Sequence, residues 1–87
     1  MARLIQPNGE VTQVEPDSED GSFTPDRLRE LVGGWVEVLP TKTGHYLVCD
    51  EEGKLKGQQY NPLASLLGRP HEMVGNVLVC TGKELGE

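Results

Sequence analysis

Short apolar segments separated by turn residues make up the first half of the chain. The segments ARLIQ and VTQVE flank the pair Asn8-Gly9, which is typical of a tight hairpin turn because both central positions need a positive φ. Further on, Leu28, Leu31 and Val32 lie at positions i, i+3 and i+4 and so share one face of a helix. The pattern therefore predicts two paired strands followed by an amphipathic helix.

Two stretches carry the same signals for the beginning and the end of a helix. Thr24 and Asn61 are each followed by proline, and these residue types favour the N-cap and the first helical position. Gly33 and Gly68 follow the last apolar residue of each stretch, where helices commonly end. The signals predict a main helix in FTPDRLRELVGG and a second helix of about two turns in NPLASLLG. Three leucines of the second helix are expected to face the core: Leu63, Leu66 and Leu67.

Three more strands complete the predicted fold, in WVEVLP, HYLVC and VGNVLVC. The last strand does not alternate apolar and polar residues, so we expect it to be central and covered either on both faces or by a partner. The order of elements predicts an α+β fold with a mixed sheet of about five strands, one main helix and one short second helix. This order resembles the β-grasp fold of ubiquitin-like proteins, in which the last strand lies beside the first. The C-terminal KELGE lacks the Gly-Gly end that ubiquitin conjugation requires.

Length and charge restrict the class of function. Eighty-seven residues predict a single domain over 1–87, with a flexible acidic loop at 16–22 and a flexible tail at 82–87. The net charge of −6, without a run of lysine or arginine, argues against a nucleic-acid partner and against an anionic membrane surface. No signal peptide or membrane span is visible. Because Cys49 and Cys80 form no disulfide framework, we expect a protein of a reducing cytoplasm.

The candidate catalytic residues carry little weight, so the sequence predicts a protein without enzymatic activity, cofactor or metal. His45 and Cys49 share one predicted strand, but four residues at about 3.3 Å each separate them by about 13 Å, too far for a nucleophile and its base. His71 and Glu72 are candidates for half of an acid–base catalytic site. Together with Cys49 they are the basis of a minor alternative, a small nucleotide hydrolase.

The predicted ligand site consists of residues that helix and strand signals leave unexplained. The connector 69–76 precedes a buried strand, and loops in such places often carry binding groups. An aromatic side chain on an exposed sheet face can stack a base or fill a subunit interface. Arg3, Lys56 and Arg69 are the cations expected to neutralise a phosphate. The predicted ligand-binding residues are Trp35, Tyr60, Arg69, His71, Gly75 and Asn76.

A set of short motifs resembles one known family. The segments LIQPNGEV, VEP, LVGGWVEVLP, EEGKLKG, NPLA and VGNVLV are together similar to domain-of-unknown-function family 3846, small proteins carried by bacteriophages and other mobile elements. The resemblance extends from Arg3 to Cys80 and provides no catalytic residues. It implies a phage accessory protein that works in the cytoplasm of a bacterial host.

These expectations lead to two candidate functions. The first is a non-enzymatic counter-defence protein that binds and sequesters a small nucleotide-type signalling ligand, as a homo-oligomer with a pocket between copies. The alternative is a protein–protein interaction module that inhibits or redirects a host protein. Such a module would use a sheet edge or an open sheet face, and its acidic loop would steer it to a basic surface.

Overall fold

Five strands, two α-helices and a short 3-10 helix follow one another along residues 2–87, the part of the chain that the computed structural model describes. All predicted strands and both predicted helices are present. In chain order, the elements are β1 (Ala2–Ile5), β2 (Val11–Val14), α1 (Pro25–Val32), β3 (Val36–Pro40), β4 (Tyr46–Asp50), α2 (Pro62–Leu67), β5 (Val77–Cys80) and the 3-10 helix (Lys83–Leu85).

The strands form one sheet in the order β2-β1-β5-β4-β3. The α+β class, the five strands and the central position of the last strand beside the first are confirmed. The expectation of a mixed sheet is wrong, because every pair of neighbours is antiparallel. After β4 the chain passes through α2 and re-enters the sheet at the same end, so β5 runs against β4. The β-grasp resemblance is loose for this reason.

The two α-helices begin at the predicted caps. The Thr24 side chain accepts a hydrogen bond from the Arg27 amide at 3.2 Å, and the Asn61 side chain accepts one from the Ala64 amide at 3.1 Å. Gly33 ends α1 with a φ of 90°, in the left-handed region where glycine is favoured. The local signals in the sequence therefore place both helix starts correctly.

The sheet carries one helix on each face, which gives two apolar cores. On one face α1 packs over a cluster that includes Leu28, Val48 and Leu78. On the other face α2 packs over a smaller cluster that includes Ala64 and Leu47. This arrangement explains why β5 is apolar on both faces. Neither α-helix in residues 2–87 has the length and apolar composition that are needed to cross a bilayer.

The two cysteines lie in different cores. Cys49 belongs to the cluster under α2, whereas Cys80 belongs to the cluster under α1. Both thiols are free, and burial raises the pKa of each to about 11. Because the thiolate is the nucleophilic form of cysteine, both side chains are unreactive at neutral pH.

The orientation of α2 differs from the predicted one. The helix buries Ala64 and Ser65, and its leucines are exposed. Two polar side chains face inward and fix this orientation. Asn61 is fully buried, and the Ser65 hydroxyl accepts a hydrogen bond from the Met73 amide at 2.8 Å. Leu63, Leu66 and Leu67 are 38%, 54% and 46% exposed. The expectation that these leucines face the core is therefore wrong.

The two segments predicted to be flexible carry specific contacts. In 16–22, Asp17 accepts hydrogen bonds from the Thr24 amide at 2.9 Å and from its hydroxyl at 2.7 Å. In 82–87, Leu85 packs against the core under α1, and the Glu84 carbonyl accepts from the Phe23 amide at 2.8 Å. The second segment thus contributes to the core because its 3-10 helix turns Leu85 inward.

Candidate functional site

A cleft of about 520 Å³ lies on the α2 side of the sheet. We call it the leucine cleft. The helix lines it with Leu63, Leu66 and Leu67. The sheet lines it with Ile5, Val11, Leu47 and Val79. A volume of this size is typical of a small-molecule site.

The charged side chains of the leucine cleft are all cations: Arg3, Lys42 and Arg69. Among residues 2–87, no Asp or Glu lines it, although the chain has 14 acidic residues and only 8 Lys and Arg. Within residues 2–87, none of the three cations takes part in an ion pair. The cleft therefore presents positive charge and apolar surface together on a protein whose net charge is −6.

Three different elements position these cations. Arg3 lies in β1 between the buried residues Ala2 and Leu4, and the alternation of a strand turns it to the opposite face. Arg69 follows the end of α2. Lys42 lies in the turn between β3 and β4, where the Thr41 amide and hydroxyl both donate to the His45 carbonyl, at 3.0 and 2.8 Å. The charge of the cleft therefore depends on the tertiary fold.

The structure divides the predicted ligand-binding residues among several places. Arg69 lines the leucine cleft together with Arg3, so two of the three cations named for a phosphate lie in the same cleft. The third expected cation, Lys56, instead binds the Asp50 carboxylate at 2.7 Å. His71 lines a second cleft. The other four residues line neither of the two clefts: Trp35, Tyr60, Gly75 and Asn76.

The two predicted aromatic residues lie on the surface away from the leucine cleft. Trp35 is 63% exposed, and the Arg29 guanidinium lies 4.9 Å from the centroid of its ring. Tyr60 is half-exposed and forms an isolated antiparallel bridge with Val74. These rings are therefore separate from the cations of the cleft.

Packing accounts for Gly75. Its φ is +70°, and a Cβ atom at this position would collide with the Gln58 side chain. Its carbonyl accepts a hydrogen bond from the Asn61 amide group at 2.8 Å. The neighbouring Asn76 is half-buried and directly precedes β5. The glycine has a structural role that does not depend on a ligand.

The second cleft has a volume of about 460 Å³ and lies beside β3 and β4. We call it the acidic cleft, because its lining includes Glu37, Asp50, Glu51 and Glu72. Three residues considered for a hydrolase line it: Cys49, His71 and Glu72.

The chemistry of the acidic cleft does not favour a cysteine nucleophile. Burial, together with the charges of Glu37 and Asp50, raises the pKa of the Cys49 thiol to about 11. The thiol is therefore protonated at neutral pH. His45, the other histidine considered as its base, lines the leucine cleft instead. In the described residues, no group of three or more His, Cys, Asp and Glu side chains is arranged to hold a metal ion.

One comparison with known proteins places the chain in a family. A family model described as Domain of unknown function (DUF3846) matches residues 2–87. The chain belongs to this family. The resemblance that the short motifs indicate is thereby confirmed. No curated protein and no solved structure matches the chain. Because the description of the family states no activity, the function has to be argued from the clefts.

Part of the leucine cleft is not predicted from the sequence. The apolar pattern of α2 assigns its leucines to the core, and Lys42 is not among the predicted site residues. One signal was available, since Asn61 and Ser65 lie four residues apart and share a helix face. A polar pair that faces inward would have turned the leucines outward. No comparable signal exists for Lys42, because its place in the cleft depends on the pairing of β3 with β4.

Proposed function

We propose that this protein binds a small anionic ligand in the leucine cleft and holds it without chemical change. The observation that carries the proposal is a set of three cations, Arg3, Lys42 and Arg69, that in the described part of the chain have no ion pair and share a cleft without an acidic side chain. Hydrogen bonds between such cations and a carboxylate or phosphate are about twice as strong as neutral ones. An anion would therefore gain specific contacts in this cleft.

The apolar lining supports the same proposal. The leucines of α2 are 38–54% exposed, and burying apolar surface contributes roughly 25 cal/mol per Å². A ligand that covers them would add this contribution to that of the ion pairs. The cleft thus suits a ligand that carries both a negative charge and an apolar portion.

The biological setting of this proposal rests on the family resemblance. A nucleotide-type signal would bring phosphates to the three cations, and holding it would remove it from a host defence pathway. The counter-defence role, the bacterial cytoplasm and assembly into a homo-oligomer stay predictions. The cations of the leucine cleft support the anionic character of the ligand.

Thermal melting with a panel of anions tests the proposal. The panel contains cyclic and linear nucleotides, inorganic phosphate and alkyl phosphates, with native mass spectrometry on the same samples. A ligand at 100 times its Kd stabilises the folded protein by about 2.7 kcal/mol. For a domain of this size, this should raise the Tm by roughly 10 °C or more. No shift and no retained anion across the panel would contradict the proposal.

A matched pair of lysine substitutions locates the site. Lys42→Glu reverses a charge in the leucine cleft, and Lys83→Glu reverses the charge of an exposed residue of the 3-10 helix, outside this cleft. Both change the net charge equally. We expect Lys42→Glu to weaken anion binding roughly tenfold or more, since a hydrogen bond to a charged group contributes about 1.5–3 kcal/mol. If the two substitutions weaken anion binding equally, the binding depends only on the overall charge of the protein, and the leucine cleft is not the site.

A second function, contact with a partner protein, is favoured by one observation. Trp35 is 63% exposed with Arg29 over its ring, and Trp and Arg are enriched in the energetic centres of protein interfaces. We expect a stoichiometric partner from host lysate to be captured by the natural sequence and lost with Trp35→Ala. Capture that is unchanged by Trp35→Ala, or no partner at all, would count against this function.

A further inference from the structure

We infer that the leucine cleft takes a free aliphatic anion, meaning a carboxylate or phosphate head on a saturated chain, in preference to a nucleotide. This inference rests on the proposed function, because it names the class of ligand for the same cleft. It departs from the nucleotide class that the sequence analysis predicts. Three properties of the lining support it.

The first property is the absence of an aromatic face. Among the residues that the structure describes, no Phe, Trp or Tyr lines the leucine cleft. Phe23 is buried under α1. Tyr46 pairs with Cys80, whose side chain belongs to the core under α1, so the tyrosine points away from the cleft. Proteins commonly hold nucleobases by stacking them on aromatic rings, and the described lining offers no aromatic ring other than the imidazole of His45; the rest of it consists of aliphatic side chains, threonines, Lys42 and the two arginines.

The second property is the aliphatic surface itself. The helix contributes Leu63, Leu66 and Leu67, which are exposed in the free protein, and the sheet contributes the buried Ile5 and Leu47 beneath them. This surface has the chemistry of a hydrocarbon chain. A saturated chain lying against it would cover the leucines that α2 fails to bury.

The third property is the placement of charge. Arg3, Lys42 and Arg69 are all exposed, whereas Leu47 is fully buried. The head of an amphiphile would therefore meet these cations near the solvent while its chain lies against the leucines of α2, above Leu47. A second copy placed face to face on this cleft would bring two sets of three cations together, which is unfavourable. The net charge of −6 disfavours an anionic membrane as the source, so the ligand is a free molecule.

A chain-length series tests the inference by calorimetry. The probes are inorganic phosphate, butyl, hexyl, octyl and decyl phosphate below their micelle concentrations, and AMP. We expect the affinity to rise roughly two- to fourfold with each added methylene until the cleft is full, because each buried methylene contributes about 0.8 kcal/mol. Decyl phosphate should bind at least tenfold more tightly than AMP or inorganic phosphate.

A matched pair of leucine substitutions tests the contact with the ligand's hydrocarbon chain without disturbing the core. Leu66→Gln changes a 54% exposed residue of the leucine cleft, and Leu55→Gln changes an 87% exposed residue of the acidic cleft. We expect Leu66→Gln to lower the affinity for decyl phosphate at least tenfold, while the affinity for inorganic phosphate stays the same. Leu55→Gln should change neither. Urea unfolding of both variants confirms that they are folded.

The outcomes separate the inference from the proposed function. If AMP binds more tightly than decyl phosphate, or if chain length has no effect, the inference is wrong and the proposed function stands. If no anion binds, both are wrong. Sedimentation of the protein with phosphatidylglycerol vesicles, together with no binding of free decyl phosphate, would overturn the assignment to a free ligand. A partner protein that binds at the cleft when decyl phosphate does not would also overturn it.

Discussion

Replacing Asn61 by Asp is expected to lower the free energy of unfolding by about 3–5 kcal/mol, since each buried group left unsatisfied costs about 1–3 kcal/mol. Asn61 is fully buried. Its amide group donates to the Ile5 carbonyl at 3.0 Å and to the Gly75 carbonyl at 2.8 Å. The new carboxyl would keep the N-cap acceptor for Ala64 but would face two carbonyl oxygens without a donor. The side chain thus joins the second helix to β1 and to the start of β5.

Urea unfolding distinguishes this role from simple capping. Asn and Asp are about equally good N-caps, so a residue that acted only as a cap would tolerate Asn61→Asp at little cost. The matched control is Asn8→Asp, because the exposed Asn8 uses only its acceptor oxygen, toward the Glu10 amide at 3.0 Å. We expect the control to change stability by less than about 0.5 kcal/mol. Equal stabilities of the two variants would contradict the proposed role of Asn61.

Replacing Asp50 by Asn is expected to cost about 2–3 kcal/mol at neutral pH, the range for lost hydrogen bonds to a charged group. The Asp50 side chain is fully buried. It accepts from Lys56 at 2.7 Å, from Gln58 at 2.9 Å and from the Glu52 amide at 2.9 Å. An amide group would turn a donor toward these donors. The network holds the loop after β4, so its loss should loosen that loop.

The pH dependence of stability tests the same network. Burial alone raises the pKa of the Asp50 carboxyl, but the hydrogen bonds from Lys56, the Glu52 amide and Gln58 outweigh it and hold the pKa below the ordinary value of 3.8. A lowered pKa in the folded protein means that the stabilisation is present above pH 3.8 and is lost as the pH falls through the folded value.

The difference in unfolding free energy between the natural sequence and Asp50→Asn should therefore shrink below pH 3.8. Glu30→Gln is the control, because Glu30 is 69% exposed in its pair with Arg27, and surface pairs contribute about 0–1 kcal/mol. A difference for Asp50→Asn that stays constant down to the acid limit would contradict the account of its pKa.

Local signals in the sequence predict the helices and the strands of this protein well. They fail where contacts between residues distant in sequence determine how a side chain is oriented. The caps at Thr24 and Asn61 depend on residues three positions away and could be predicted. The inward orientation of Asn61 depends on carbonyls of Ile5 and Gly75, which are distant in sequence. The apolar pattern alone therefore assigns the leucines of α2 to the core, although they are exposed in the structure.

The direction of the last strand and the site show the same limit. An apolar β5 indicates a central strand but not its direction, which follows from the connection through α2.

Lys56 appears in the sequence as a free cation, yet it pairs with Asp50. A Cβ at Gly34 would lie 2.8 Å from the Asp50 carboxylate, so this close approach needs the glycine. The cations of the leucine cleft likewise come together only when the sheet is formed.

The most direct test of the leucine cleft as the ligand site is a titration followed by proton–nitrogen correlation NMR, with decyl phosphate and AMP as separate probes. We expect at least one probe to shift the backbone amide signals of Lys42 to Leu47, Leu63 to Arg69 and Arg3 to Ile5, and to leave those of Trp35 and Lys54 unchanged. Shifts confined to Trp35 or to the acidic cleft, or no shift with either probe, would contradict this expectation.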